Sequence, residues 1–207
     1  VLVINRAQLD HHWPKASDAL RDGIIANQAE AYTLADLTTP RRLAHFWAQV
    51  SHESGGGATL EENLNYSAKR MMQVWPSRFH TELEAQPFAH NAKALGIKVY
   101  GGRLGNRAAP STDGYDYRGR GGLQITGQDN YRAIGLICGL DLVAHPELTI
   151  APDGFLMVAC AVWKSHGCNP FASADDLRGV TRKINGGLIG LDSRAAWLRK
   201  WKEQFDL

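Results

Sequence analysis

Glu53 and Glu62 are the residues of this 207-residue chain whose placement suggests proton chemistry. Leu43, Phe46, Trp47 and Val50 recur at helical spacing, and one further step of three reaches Glu53. This carboxyl therefore stands at the end of a buried helix stripe rather than on a wet face. Partial desolvation and the negative end of the helix dipole both act against the anion there. Gly55-Gly56-Gly57 then end the helix and let the side chain face an opening. A general acid needs a proton to give. Past the glycine turn, Glu61 and Glu62 precede Asn63-Leu64-Asn65-Tyr66, so the chain has room to double back. Two carboxyls facing each other across a sugar-binding groove, about 6.5–9.5 Å apart with a water between, can hydrolyse a glycosidic bond with inversion. Spacing alone describes a surface pair; the buried stripe under Glu53 favours chemistry.

A third segment, Tyr117-Arg-Gly-Arg-Gly-Gly-Leu-Gln-Ile-Thr-Gly-Gln-Asp-Asn-Tyr131, combines glycines with neutral donors and acceptors. Gln124, Thr126 and Asn130 are of the kind that hold sugar hydroxyls, amides or a water. It lacks the phosphate-loop pattern and a preceding hydrophobic strand, and taken by itself it reads as a turn-rich connector. His45, Gln49 and His52 share one side of the Glu53 helix but do not form His-Glu-x-x-His, so they read as the polar flank of a core helix. Cys160, His166 and Cys168 lack paired Cys-x-x-Cys units and read as free thiols, with Cys168 the one to test for reactivity. No Gly-x-Ser-x-Gly elbow is present.

Helices must position these groups. Thr39-Pro40 reads as an N-cap and first helical residue, while Thr81-x-x-Glu84 and Ser173-x-x-Asp176 read as capping boxes. Asp153 to His166 is apolar nearly all round, which suits a helix at a domain centre. Leu191 to Phe205 is amphipathic, with Leu191, Ala195, Leu198, Trp201 and Phe205 inward. Tyr115, Tyr117, Leu123 and Ile125 mark a small strand or hairpin, and no strand–helix alternation suggests a parallel sheet. The expectation is a mainly α, two-lobed domain over residues 1–207 with a substrate groove, at most a small β-hairpin and no separate wall-binding domain.

Composition excludes disorder, and the longest apolar run, Phe155 to Trp163, is about half of a membrane span. A soluble chain is expected. Three late cysteines spell no disulfide framework, and the stretch Val1 to Arg6 lacks a secretory pattern. The formal charge is only +2, yet Leu177 to Lys202 holds seven basic residues (Arg178, Arg182, Lys183, Arg194, Arg199, Lys200, Lys202) against one acid, Asp192. Such a patch suits an anionic partner, whether nucleic acid, cell-wall material or a lipid surface, with an anionic wall or membrane contact among these, or simply a solvated helix face.

Taken in order, His52-Glu53, Glu62-Asn-Leu-Asn-Tyr66-Ser-Ala, Tyr117-Arg-Gly-Arg-Gly-Gly-Leu-Gln-Ile-Thr126 and Ile184-Asn185-Gly-Gly187 with Asp192-Ser-Arg194 resemble glycoside hydrolase family 19. The likeness runs from about Pro40 to Phe205 and is strongest to chitinase-like bacteriophage endolysins. It implies a lysozyme-like helical fold and an inverting mechanism without metal or cofactor. Position by position, Glu53 becomes the acid, Glu62 the base and Thr126 the residue that orients the water. Gln124, Asn130, Asn185, Tyr66 and Tyr117 would bind sugar, and Arg194 would support the acidic cluster and the substrate site.

The chain departs from the plant chitinase form, which has a longer interval between the glutamates, a Pro at the place of Gly122, and disulfides. The short interval resembles the lysin branch, whose substrate is peptidoglycan. The resemblance thus implies a monomeric muramidase-type endolysin that binds the glycan strand and no nucleic acid. It would be made in the host cytoplasm and act at the periplasmic cell wall to lyse the host. The alternatives are a chitinase acting on N-acetylglucosamine polymers and a non-catalytic wall-binding protein.

Overall fold

The computed structural model describes residues 3–207; Val1 and Leu2, where the stretch read for a secretory signal begins, lie outside the described residues. The helices in chain order are α1 (Arg6–His12), α2 (Asp18–Leu34), α3 (Pro40–Glu53), α4 (Ala68–Val74), α5 (Glu82–Ala85) and α6 (Ala92–Tyr100). They continue with α7 (Asp113–Asp116), α8 (Gln128–Cys138), α9 (Phe155–Ser165), α10 (Asn169–Ser173), α11 (Leu177–Asn185) and α12 (Leu191–Gln204). The fold is mainly helical, as expected. The hairpin reduces to two isolated antiparallel bridges, Glu61 with Arg120 and Arg120 with Ile125, and Tyr115 falls in α7. None of the described helices is long and apolar enough to cross a membrane. Two compact units result: one from residues up to Leu60, Gly121–Gln124 and Ile134–Leu207, the other from Glu61–Arg120 and Ile125–Ala133.

In the first unit, α3 starts as its sequence predicts: the Thr39 hydroxyl accepts from the Arg42 amide and Pro40 occupies the first turn. Every residue from Leu43 to Ser51 is buried, so α3 is enclosed on all sides and not only along the predicted stripe. Its polar flank is paired in part by residues from late in the chain, while His45 Nδ1 and Gln49 Nε2 are buried without a hydrogen-bond partner among the described residues. His45 Nε2 lies 2.8 Å from Asp175 Oδ1, and Gln49 accepts from Arg194. α12 packs along α3, and α2 along the apolar α9. Trp47 meets Trp13, Phe46 and Trp201 at ring distances of 5.3, 5.4 and 5.4 Å.

A buried indole N–H needs an acceptor. Trp13 and Trp201 both donate to the Ser51 hydroxyl, at 2.8 and 3.0 Å, and Trp47 donates to the Tyr32 hydroxyl at 3.0 Å. Ser51 therefore fixes the last turn of α3, two residues before Glu53.

Three local expectations are revised. Ser173 does not cap α11: it is still helical in α10, so it cannot take the extended N-cap conformation, and its hydroxyl accepts from Arg42 Nε. Asp176 is the cap, accepting from the Gly179 amide at 2.8 Å. Thr81 does cap α5, but Glu84 takes the His80 amide, so the box is not reciprocal. Cys168, the thiol singled out for a reactivity test, sits where its thiolate is disfavoured. It is fully buried, and that burial pushes the thiol up to about 12.

The second unit has its own core of Leu64, Ala68, Met71, Phe79, Ala85, Leu95 and Val99, with Tyr66 and Trp75 packed against it. Within it α6 packs on α7 and α4 on α5.

Candidate active site

Glu53 is the last residue of α3; Ser54 closes the helix through its amide to the Val50 carbonyl, and Gly55, Gly56 and Gly57 all take positive φ. The Glu53 side chain keeps 21% of its surface exposed, and its Oε1 pairs with Arg194 Nη2 at 2.5 Å. The sequence reading placed this carboxyl against apolar surroundings; the structure puts a guanidinium there instead. Arg194 is 1% exposed and uses all three nitrogens: Nη2 on Glu53, Nη1 on Gln49 Oε1, and Nε on the Ile189 carbonyl. Three separate nitrogens of one planar group thus reach three acceptors, a spread that the single ammonium nitrogen of a lysine does not match.

Arg194 is delivered by the first turn of α12. Gly190 caps that helix at φ +74, and a Cβ there would lie 2.5 Å from the His52 ring. His52 Nδ1 sits 2.9 Å from Ser193 Oγ. Its imidazole is pushed down from the ordinary value, mainly by burial and then by the Arg194 charge, with Glu53 pulling the other way. Asn185, at the end of α11, and Gln124, at φ +24, are exposed in the same unit.

The second unit holds Glu62 with neutral donors. Its Oε1 accepts from the Gly119 amide at 2.7 Å and its Oε2 from the Tyr100 hydroxyl at 2.8 Å, while its own amide donates to the Gly119 carbonyl at 2.8 Å. Burial, and then the Glu62 charge, pushes the Tyr100 phenol up, so it stays a donor. Glu61 has a different setting. It pairs with Arg118 at 2.7 Å and Arg120 at 3.2 Å, both of them buried, which makes it a structural anchor.

Thr126 is half-buried, and its carbonyl accepts from Asn130 Nδ2 at 2.7 Å, so these two predicted residues meet. Tyr117 is 7% exposed, with its ring edge-on to Tyr131 at 5.3 Å, and Tyr66 packs edge-on to Trp75 at 5.2 Å. Both rings therefore carry a packing role.

Sequence reasoning brought Glu53 and Arg194 to one place but missed three groups that hold Glu62 or the guanidinium on Glu53. Gln49 could have been found, because it lies one helical turn before Glu53 on α3. Tyr100 and the Gly119 amide carry no local signal, since they reach Glu62 from 38 and 57 residues away.

The fold is mainly helical, with one carboxylate held by a buried guanidinium in the first unit and another by neutral donors in the second, and the chain belongs to glycoside hydrolase family 19. The family profile described as Chitinase class I matches residues 24–175. A glycosyl hydrolase family 19 domain-containing protein of Haemophilus influenzae is 41% identical over 198 residues, covering 96% of this chain and 95% of that protein. Chitinase 8 of rice is 47% identical over 123 residues, but these are 59% of this chain and 34% of the plant protein. Among solved structures, a bacterial family 19 chitinase superposes with a TM-score of 0.68 at 19% identity, over 100% of this chain and 96% of that one. Chitinase C of Streptomyces griseus gives 0.62 at 21%, over 98% and 76%. The chain thus shares the family 19 fold, in a family of enzymes that hydrolyse glycosidic bonds.

Proposed function

We propose that this chain is a muramidase-type endolysin that cleaves β-1,4 bonds in the glycan strands of bacterial peptidoglycan. Glu53 protonates the leaving oxygen, Glu62 takes a proton from the attacking water, and Thr126 orients that water. Gln124, Asn130 and Asn185 offer the neutral hydrogen-bonding groups for the sugars. The observation that carries this reading is the near full-length match to a bacterial relative, against about a third of the length of rice chitinase 8. The short interval between the two glutamates supports the same substrate. The deciding experiment digests purified peptidoglycan and chitin oligomers and identifies the reducing ends and their anomeric configuration by NMR. Inverted products with muramic reducing ends are expected; glucosaminic ends from chitin alone would make the chain a chitinase, and absence of products a wall-binding protein.

Thr126→Ala is expected to lower kcat by about tenfold while KM moves less than twofold, because a group that orients water acts chiefly in the transition state. Steady-state kinetics on a soluble glycan checks this, and a rise in KM alone would remove Thr126 from the chemistry.

We place the enzyme at the periplasmic wall of its host, where it arrives from the cytoplasm and acts as a monomer. Two of the seven clustered cations are already committed, Arg194 to Glu53 and Lys202 to Asp175 at 2.5 Å. Arg178, Arg182, Lys183, Arg199 and Lys200 stay exposed and outside ion pairs among the described residues. Reversing Arg182, Arg199 and Lys200 to Glu is expected to weaken co-sedimentation with cell walls. The loss should be larger in low salt, since screening acts over about 8 Å at physiological ionic strength. Unchanged sedimentation would leave these residues as the wet faces of α11 and α12.

A further inference from the structure

His45 and Gln49 lie one turn apart on α3, and both side chains are fully buried. One end of each is committed. His45 Nε2 is 2.8 Å from Asp175 Oδ1, and the same carboxylate takes Lys202 Nζ on Oδ2 at 2.5 Å. An ionised carboxylate only accepts, so Nε2 carries the ring proton. Burial pushes the imidazole down from its ordinary value, against the pull of Asp175, and keeps the ring neutral. Nδ1 is then a lone-pair acceptor. At Gln49 the fixed partner is Arg194 Nη1, which only donates, so Oε1 must face it and Nε2 remains as the free donor. The second end of each side chain is unmatched: His45 Nδ1 and Gln49 Nε2 are buried with no hydrogen-bond partner among the described residues. One accepts and the other donates, and buried polar groups rarely stay unpaired. Side chains four apart on a helix are neighbours that lean toward its N-terminus, which brings the Gln49 amide back over His45.

We infer that His45 is a positioning residue for Glu53: its Nδ1 and Gln49 Nε2 share one internal water, which holds the amide whose oxygen fixes Arg194 on the acid. The inference rests on the reading of Glu53 as proton donor and adds what keeps that carboxyl in place. The two nitrogens make no direct bond, whereas a water that accepts from Nε2 and donates to Nδ1 completes both. A line of contacts then starts at Lys202 and the part-exposed Asp175 and runs through His45, the water, Gln49 and Arg194 to Glu53. Without the water, the Gln49 amide is held at its oxygen alone. Looser hold on the guanidinium lets Glu53 leave its reacting position, which lowers kcat more than it raises KM.

Two substitutions separate this role from simple anchoring of α3. His45→Gln puts an amide nitrogen at the place of Nε2, so it keeps Asp175 and loses the acceptor. His45→Asn puts an oxygen at the place of Nδ1 and is too short for Asp175. On a soluble glycan, His45→Gln is expected to lower kcat about tenfold with KM within about twofold, while His45→Asn stays within about threefold of wild type. If His45 only anchors the helix through Asp175, the asparagine variant is the worse of the two; that order, or equal effects, overturns the inference. The wild-type enzyme gives a second readout that needs no variant to fold. Nitrogen-15 NMR should show a neutral His45 ring protonated at Nε2, and a crystal structure should show a water within about 3.2 Å of both nitrogens. A ring protonated at Nδ1, or density without that water, overturns it as well. Glu53→Gln in the same assay keeps the two readings apart: if that enzyme stays active, the proton donor is elsewhere, whatever His45 does.

Discussion

Glu53→Gln is expected to lower hydrolysis by about 10²–10⁴-fold, the range a positioned general acid contributes. Glutamine keeps the volume and an amide oxygen that can still accept from Arg194 Nη2, but it has no proton to transfer. The variant also removes the negative charge that faces a guanidinium only 1% exposed. A hydrogen bond to a charged group contributes about 1.5–3 kcal/mol, and since the amide oxygen keeps part of it, a drop in stability below that range accompanies the loss of rate. Reducing-end assays with circular dichroism melts separate the two effects. A folded variant that keeps a tenth or more of wild-type activity would take the acid role away from Glu53.

Arg194→Met acts on the same pair from the other side and should cost more stability. Removing one partner of a buried ion pair costs about 3–5 kcal/mol, and the 21% exposure of Glu53 puts the expectation near the lower end. For a chain of this size about 3 kcal/mol lowers Tm by roughly 6–12 °C. The carboxylate of Glu53 also loses its anchor, and a displacement of about 1 Å at a reacting group can cost about 10² in rate. Arg194→Lys is the informative companion. It restores a positive charge on one nitrogen in place of three, so it should recover part of the stability and little of the rate. Full recovery by lysine would mean that charge alone matters at this position.

The parts legible in the sequence are those written within a few residues. Thr39 and Pro40 announce the start of α3, and the periodicity through Leu43, Phe46, Trp47 and Val50 puts Glu53 at its end, because cap and stripe are local. The same reasoning failed at Ser173, where a second acceptor three residues on, Asp176, does the capping. Periodicity also could not show that α3 is enclosed on every side, since the residues that cover its polar flank, Asp175 and Arg194, come from late in the chain. Arg194 was reached only through the family resemblance. Tyr100 was not reached at all: its hydroxyl meets Glu62 through tertiary folding, and nothing around it in sequence marks it.

The double acceptor at Ser51 has a kinetic consequence during synthesis. Its two indole donors lie 38 residues before it and 150 after it, and Arg194 lies 141 residues after Glu53. At about 5–20 residues per second, α3 leaves the ribosome roughly 8 to 30 s before Trp201 exists to close its last turn. Over that interval Glu53 has neither its guanidinium nor its packed helix. Such long-range closure makes the first unit slow to complete, because Ser51 and Glu53 gain all their partners only once α12 has been made.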